Sequence, residues 1–208
     1  MEILILGDSW AVELPNMRSE KHTASLLREQ GHTIHNCGIA GGSNLRSLQQ
    51  AKIYLGYKKI KIDWAVWFHT ELSRDKERCD FKKMSIQEFM DQMSHLVYAH
   101  YKQFFQDLGC KVAVIGGCAD IYHNFFDYIQ PNFCIPSWRQ EIIGVNGLCM
   151  STTEWVPHTK DTTANKLHWI NMHTEAMLAM DASPDFPDCA HPGTRPHQDL
   201  ARRLLELF

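Results

Sequence analysis

Trp64-Ala65-Val66-Trp67-Phe68 is an unbroken apolar run between Asp63 and His69. A strand with one wet face alternates apolar and polar residues. A continuous run instead belongs to a strand buried on both faces, as in a parallel sheet covered by helices on either side. Four further segments read as strands: Glu2 to Leu6, His32 to Cys37, Lys111 to Ile115 and the short Cys134-Ile135. Helical patterns separate them. This alternation predicts an α/β fold with a mostly parallel sheet of about five strands and helices on both faces.

The clearest helix runs from Ser85 to Leu108. Ser85 and Glu88 have capping-box spacing. Phe89, Met90, Met93, Val97, Tyr101, Phe104 and Leu108 keep the three-four spacing of one buried face. That stripe is core packing rather than a cofactor box, and Gly109 ends it. Other helices are expected at Ser19–Gln30, stopped by Gly31, and at Asn44–Leu55, Thr163–Met180 and Arg195–Leu207. Residues 118–161 carry Pro131, Pro136 and Pro157 among many aromatics and show no clear period. With 208 residues and no repeat or linker, the chain is expected to be one domain, 1–208.

Composition narrows the function classes. The net charge is −3 and no basic run exists, which argues against nucleic acid as a partner. No apolar run approaches the ~20 residues of a membrane span. The N-terminus has no charged segment leading into an apolar one, so a cytoplasmic location is the expectation. The seven cysteines form no Cys-x-x-Cys pair and fit reduced, small buried residues. Among the twelve histidines, His168/His173 and His32/His35 have spacings unsuited to a shared metal, so no metal site is expected.

Chemistry concentrates at the two ends. Gly7-Asp8-Ser9 follows the first strand, and Asp188-Cys189-Ala190-His191-Pro192 precedes the last helix. A serine hydroxyl becomes a nucleophile when a histidine takes its proton and an acid orients that histidine. Ser9, His191 and Asp188 supply all three types. Each motif alone also reads as turn punctuation or a helix cap. Together they resemble the SGNH hydrolases, the GDSL-like esterases and lipases. Leu6-Gly7-Asp8-Ser9 matches the first block of that family. Asp188 to Pro192, continuing through His197-Gln198-Asp199-Leu200-Ala201, matches the last. Asn36-Cys37-Gly38-Ile39-Ala40-Gly41 matches the Asn-x-Gly-x-x-Gly block between them. A phosphate cradle is the rival reading for these glycines, but the spacing it requires is absent.

The resemblance implies a three-layer flavodoxin-like sandwich and a serine ester hydrolase that forms an acyl-enzyme. It implies no metal or organic cofactor, and a small-molecule or carbohydrate ester as substrate. The backbone N–H groups of Ser9 and Gly41 would face the oxyanion. The third block departs from the pattern: Phe68-His69-Thr70-Glu71 stands where Gly-x-Asn-Asp is expected. Thr70 is therefore the expected stand-in for the missing oxyanion asparagine. The alternative is a non-catalytic binding or structural module on the same fold. His69, Arg74 and His197 lie near the motifs. Packing explains His69, pairing with Glu71 or Asp75 explains Arg74, and a place in the first turn of the last helix explains His197. Tyr122, Phe125, Phe126, Tyr128, Trp138 and Trp155 fit a sugar-stacking wall or, more simply, core and lid packing.

Overall fold

The computed structural model describes residues 1–13, 21–78, 84–117, 120–143 and 191–208. Five strands form one parallel sheet: β1 (Glu2–Leu6), β2 (Thr33–Asn36), β3 (Trp64–His69), β4 (Lys111–Gly116) and β5 (Phe133–Ile135). Their order is β2-β1-β3-β4-β5, the flavodoxin-like order. The helices are α1 (Thr23–Glu29), α2 (Asn44–Lys58), α3 (Ile86–Leu108), α4 (Trp138–Ile143) and α5 (Thr194–Leu205). None of the described helices is long and apolar enough to cross a membrane. The expected helix Thr163–Met180 lies outside the described residues.

β3 is the central strand, and all six of its residues are buried. Its side chains alternate between two cores. Ala65 and Trp67 join Leu4, Leu6, Val112 and Val114 under α2 and α3. Trp64, Val66 and Phe68 join Ile3, Ile5, Ala113 and Ile115 under α1, α4 and α5. The unbroken apolar run thus serves both helical layers at once. Trp67 anchors the first core, stacked on Tyr101 with ring centroids 3.6 Å apart and planes 8° apart. On α5, Pro196, His197, Leu200, Ala201 and Leu204 form the single face that packs inward.

Local signals set the helix ends. In α3, Ser85 accepts the Glu88 N–H, and Glu88 in turn accepts from the Ser85 backbone. Gly109 closes this helix at φ 59. α1 starts at Thr23, later than the sequence suggests, because His22 is an extended cap at φ −98 and ψ 156. There the Ser25 hydroxyl accepts the His22 N–H and donates to the His22 carbonyl. α2 continues past Leu55 to Lys58, where Lys59 turns left-handed at φ 50. A 3₁₀ segment, Leu72–Arg78, follows β3 and had no periodic signal.

Tyr122, Phe125 and Trp138 are core residues, and Phe126 is exposed, so most of the described aromatic cluster packs the interior. Cys37, Cys110 and Cys134 are free thiols. Burial pushes the Cys37 thiol up to about 11, which suits a packing role.

Gly7 is a tight backbone position at the sheet's carboxyl edge. Its φ is +138, and a Cβ there would lie 2.6 Å from the Phe68 carbonyl oxygen. Gly41, at φ +65, has open space around it. Gly7→Ala is therefore expected to destabilise the fold by about 3 kcal/mol or more, from clash plus strain. Gly41→Ala is expected to cost only about 1–2 kcal/mol, from the left-handed backbone alone. Urea unfolding of the two variants checks this ranking, and equal losses would contradict it.

Candidate active site

In an open parallel sheet, ligands sit outside the carboxyl ends of the strands, where the strand order reverses. Here the reversal falls between β1 and β3. Gly7-Asp8-Ser9 leaves β1, the glycine loop leaves β2, and Thr70 leaves β3, so all three meet at one edge. His191 enters from the residues before α5. Its Nε2 lies 2.9 Å from Ser9 Oγ. With the serine hydroxyl donating, Nε2 carries no proton and the imidazole is in its Nδ1–H form. This is the geometry of a nucleophile beside its general base. The two residues are 182 positions apart in sequence. Asp188 lies outside the described residues.

A side-chain lattice holds the serine loop. Asp8 is fully buried. Its Oδ1 accepts the Trp10 N–H at 3.0 Å, and its carbonyl accepts the Ala11 N–H at 3.0 Å, which bends the chain tightly around Ser9. Asn36 donates to the Ala11 carbonyl at 2.8 Å and accepts the Gly38 N–H at 2.9 Å, tying the β2 exit to that bend. The Gly42 N–H closes a turn on the Ile39 carbonyl at 2.7 Å, with Gly41 at its left-handed third position. The Ser47 hydroxyl accepts the Gly7 N–H at 2.8 Å and donates to the Cys37 carbonyl at 3.2 Å. Asn44 accepts the Thr70 N–H at 3.1 Å and donates to the Thr70 carbonyl at 2.9 Å.

Thr70 departs from its expected role. Its hydroxyl is fully buried and faces two carboxylates, Asp8 Oδ2 at 2.8 Å and Glu71 Oε2 at 2.9 Å. A hydroxyl has one proton to give, and here that proton goes to a carboxylate rather than to an oxyanion. The physical reason lies in Asp8: a carboxyl with no solvent needs every donor within reach. Arg74 completes the cluster. It pairs with Glu71, and its guanidinium lies 3.4 Å from Asp8 Oδ2 and 3.4 Å from the Gly42 carbonyl. Burial pushes the Asp8 carboxyl upward, partly offset by the Trp10 N–H, Arg74 and Thr70. The expected Arg74–Glu71 pairing is thus present, with Asp8 as an addition that no sequence pattern signalled.

His69 is buried and shares a hydrogen bond with Tyr98 at 3.1 Å, a packing position under the loop. His197 is buried in the first turns of α5. Its Nδ1 meets the Thr23 hydroxyl at 2.8 Å, and its ring lies against that of His22, centroids 3.8 Å apart and planes tilted by 38°. His22 Nδ1 has no hydrogen-bond partner among the described residues. Burial, and then the nearby His191, bring His22 down from the ordinary 6.5 to about 4. Burial, His22 and His191 hold His197 well below 6.5. Among the described residues no group of His, Cys, Asp or Glu is placed to hold a metal ion.

No protein-family model matches this sequence, and no curated protein matches it. Solved structures are similar in overall chain path. The psychrotrophic esterase EstA from Pseudoalteromonas sp. is 14% identical, with 99% of this chain and 94% of that chain covered and a TM-score of 0.49. The acetyl xylan esterase AlAXEase is 13% identical, covering 100% of this chain and 99% of that one at a TM-score of 0.49. A lipase/acylhydrolase from Enterococcus faecalis is 12% identical, covering 99% and 93% at a TM-score of 0.45.

Two measurements test the lattice. Thr70→Val removes the hydroxyl donor from a buried carboxyl and should cost about 1–3 kcal/mol of stability. Thermal and urea unfolding check it, and an unchanged midpoint would show that Asp8 does not depend on that hydroxyl. The second concerns pH. In the folded state His22 has a lowered pKa, so the unfolded chain binds more protons as the pH falls. Its contribution to stability is complete above pH 6.5 and is lost progressively toward pH 4. His22→Leu should flatten the fall of the urea midpoint across that window, while an identical slope would assign the acid loss elsewhere.

Proposed function

We propose that this protein is a serine ester hydrolase of the SGNH type. The observation that carries the proposal is the 2.9 Å contact between Ser9 Oγ and His191 Nε2 at the carboxyl edge of the sheet. Its support lies in the motifs around both residues, in the strand-order reversal beside them, and in a lattice that immobilises the serine loop. In this reading Ser9 Oγ attacks the ester carbonyl carbon while its proton passes to His191 Nε2. The carbonyl electron pair moves onto oxygen, and the backbone N–H groups of Ser9 and Gly41 face that oxyanion. The oxyanion collapses, the ester C–O bond breaks, and His191 returns the proton to the leaving alkoxide. Water then enters by the same route and releases the acid. Asp188 orients and charge-stabilises the imidazole. Thr70 belongs to the site through Asp8, as the residue that fixes the base of the serine turn. Small esters, including acetylated sugars, are the substrate class.

Ser9→Ala should abolish hydrolysis of p-nitrophenyl acetate and labelling by a fluorophosphonate while leaving the unfolding midpoint unchanged. His191→Ala should be nearly as damaging and Asp188→Ala somewhat less, since triad members act as a unit. Near wild-type turnover in Ser9→Ala would overturn the reading. A folded wild type that neither turns over the ester nor takes the probe would favour a non-catalytic module.

A further inference from the structure

The site as described has an electrostatic problem. Two carboxylates, Asp8 and Glu71, stand where the chain leaves β1 and β3. An oxyanion forming beside them would be repelled. The Thr70 hydroxyl is spent on those same carboxylates. Two backbone N–H groups alone would then face the developing charge, in a field of the wrong sign.

Arg74 is a cation at this edge. It comes from the 3₁₀ segment Leu72–Arg78 and reaches back toward the strand ends. Its Nε side pairs with Glu71. Its Nη1 lies 3.4 Å from the carboxylate of Asp8, the residue before Ser9. The same nitrogen lies 3.4 Å from the carbonyl of Gly42, the residue after Gly41. One guanidinium nitrogen therefore spans the two backbone arms that offer the oxyanion its N–H groups. Both contacts are long for a charged donor, whose bonds run about 2.7–2.9 Å when well made. A full negative charge on the substrate oxygen is a better acceptor than the Gly42 carbonyl, so the nitrogen gains by turning to it as the charge develops. Resting on the ester-hydrolase reading, we propose that Arg74 is a catalytic residue, the third oxyanion donor, in the role the missing asparagine would fill.

Arg74 stands against both carboxylates, paired with Glu71 and 3.4 Å from Asp8 Oδ2. Glu71 and Arg74 offset one another. An oxyanion formed at this edge would meet the guanidinium as well as the two carboxylates.

A double-mutant cycle on p-nitrophenyl acetate separates this role from simple neutralisation of Glu71. Arg74→Met should lower kcat by roughly 10²–10³ with KM little changed, the usual loss for one oxyanion donor. Glu71→Gln should lower kcat far less than Arg74→Met, because it removes a charge that opposes the oxyanion and leaves the guanidinium in place. The double variant Arg74→Met/Glu71→Gln should remain as low as Arg74→Met. It also carries the measurement if the single variant fails to fold, since it removes both partners of the ion pair. Recovery of the double variant to the Glu71→Gln level would overturn the proposal and leave Arg74 as a counter-charge only. An Arg74→Met enzyme as fast as wild type would overturn it too. In a crystal structure of the fluorophosphonate adduct on Ser9, an Arg74 nitrogen about 3 Å from the phosphoryl oxygen is expected. A nitrogen still held only by Glu71 and Gly42 would count against it. A wild type with no activity and no labelling defeats the hydrolase reading and this assignment together, whereas an active wild type with an unaffected Arg74→Met defeats this assignment alone.

Discussion

The first turn of α2 holds the strand ends together. Asn44 is fully buried and spends its side chain on three bonds: it accepts the Trp67 indole N–H at 3.2 Å and the Thr70 N–H at 3.1 Å, and donates to the Thr70 carbonyl at 2.9 Å. Its own carbonyl accepts the Tyr101 hydroxyl at 2.9 Å. One turn further, the Ser47 hydroxyl joins the exits of β1 and β2 through Gly7 and Cys37. Where parallel strands stop pairing, their backbone groups lose ladder partners, and buried ones must be satisfied by something else. Asn44 and Ser47 do this with side chains. The loops carrying Ser9, Gly41 and Thr70 are thereby fixed relative to one another before any substrate arrives. A site built on such supports needs little reorganisation when charge develops.

That order brings an electrostatic cost. Asp8 makes the serine turn by accepting the Trp10 N–H, and it does so with no solvent contact. A buried carboxyl needs donors, and Thr70 and Arg74 are the ones the fold brings to it. The same logic operates on the other side of His191. His22 and His197 pack ring against ring between α1 and α5, and burial lowers the pKa of both. The imidazole proposed to carry a proton during turnover is thus bordered by two that resist protonation.

Much of this arrangement was legible in the chain itself. The apolar run at β3 announced a strand covered on both faces, and the structure places it at the centre with side chains serving two cores. Ser85, Glu88 and Gly109 marked the ends of α3 because capping chemistry is local. Gly7-Asp8-Ser9 and His191-Pro192 stood out as candidates because their order and placement matched a known pattern. Helix starts were less legible. His22 caps α1 through the Ser25 hydroxyl, a pattern that resembles any polar stretch in sequence.

What the sequence alone determined was fold class, strand order of appearance and the identity of the candidate nucleophile and base, since periodicity, capping and short motifs depend on near neighbours. Only the tertiary structure decided that Ser9 meets His191 across 182 positions, that Thr70 faces carboxylates instead of open space, and that Arg74 bridges the two loops. These are outcomes of charge and solvent exclusion among residues from separate strands. A buried carboxylate recruits whichever donors the fold brings within about 3 Å of it, and that distance is written nowhere in the linear chain.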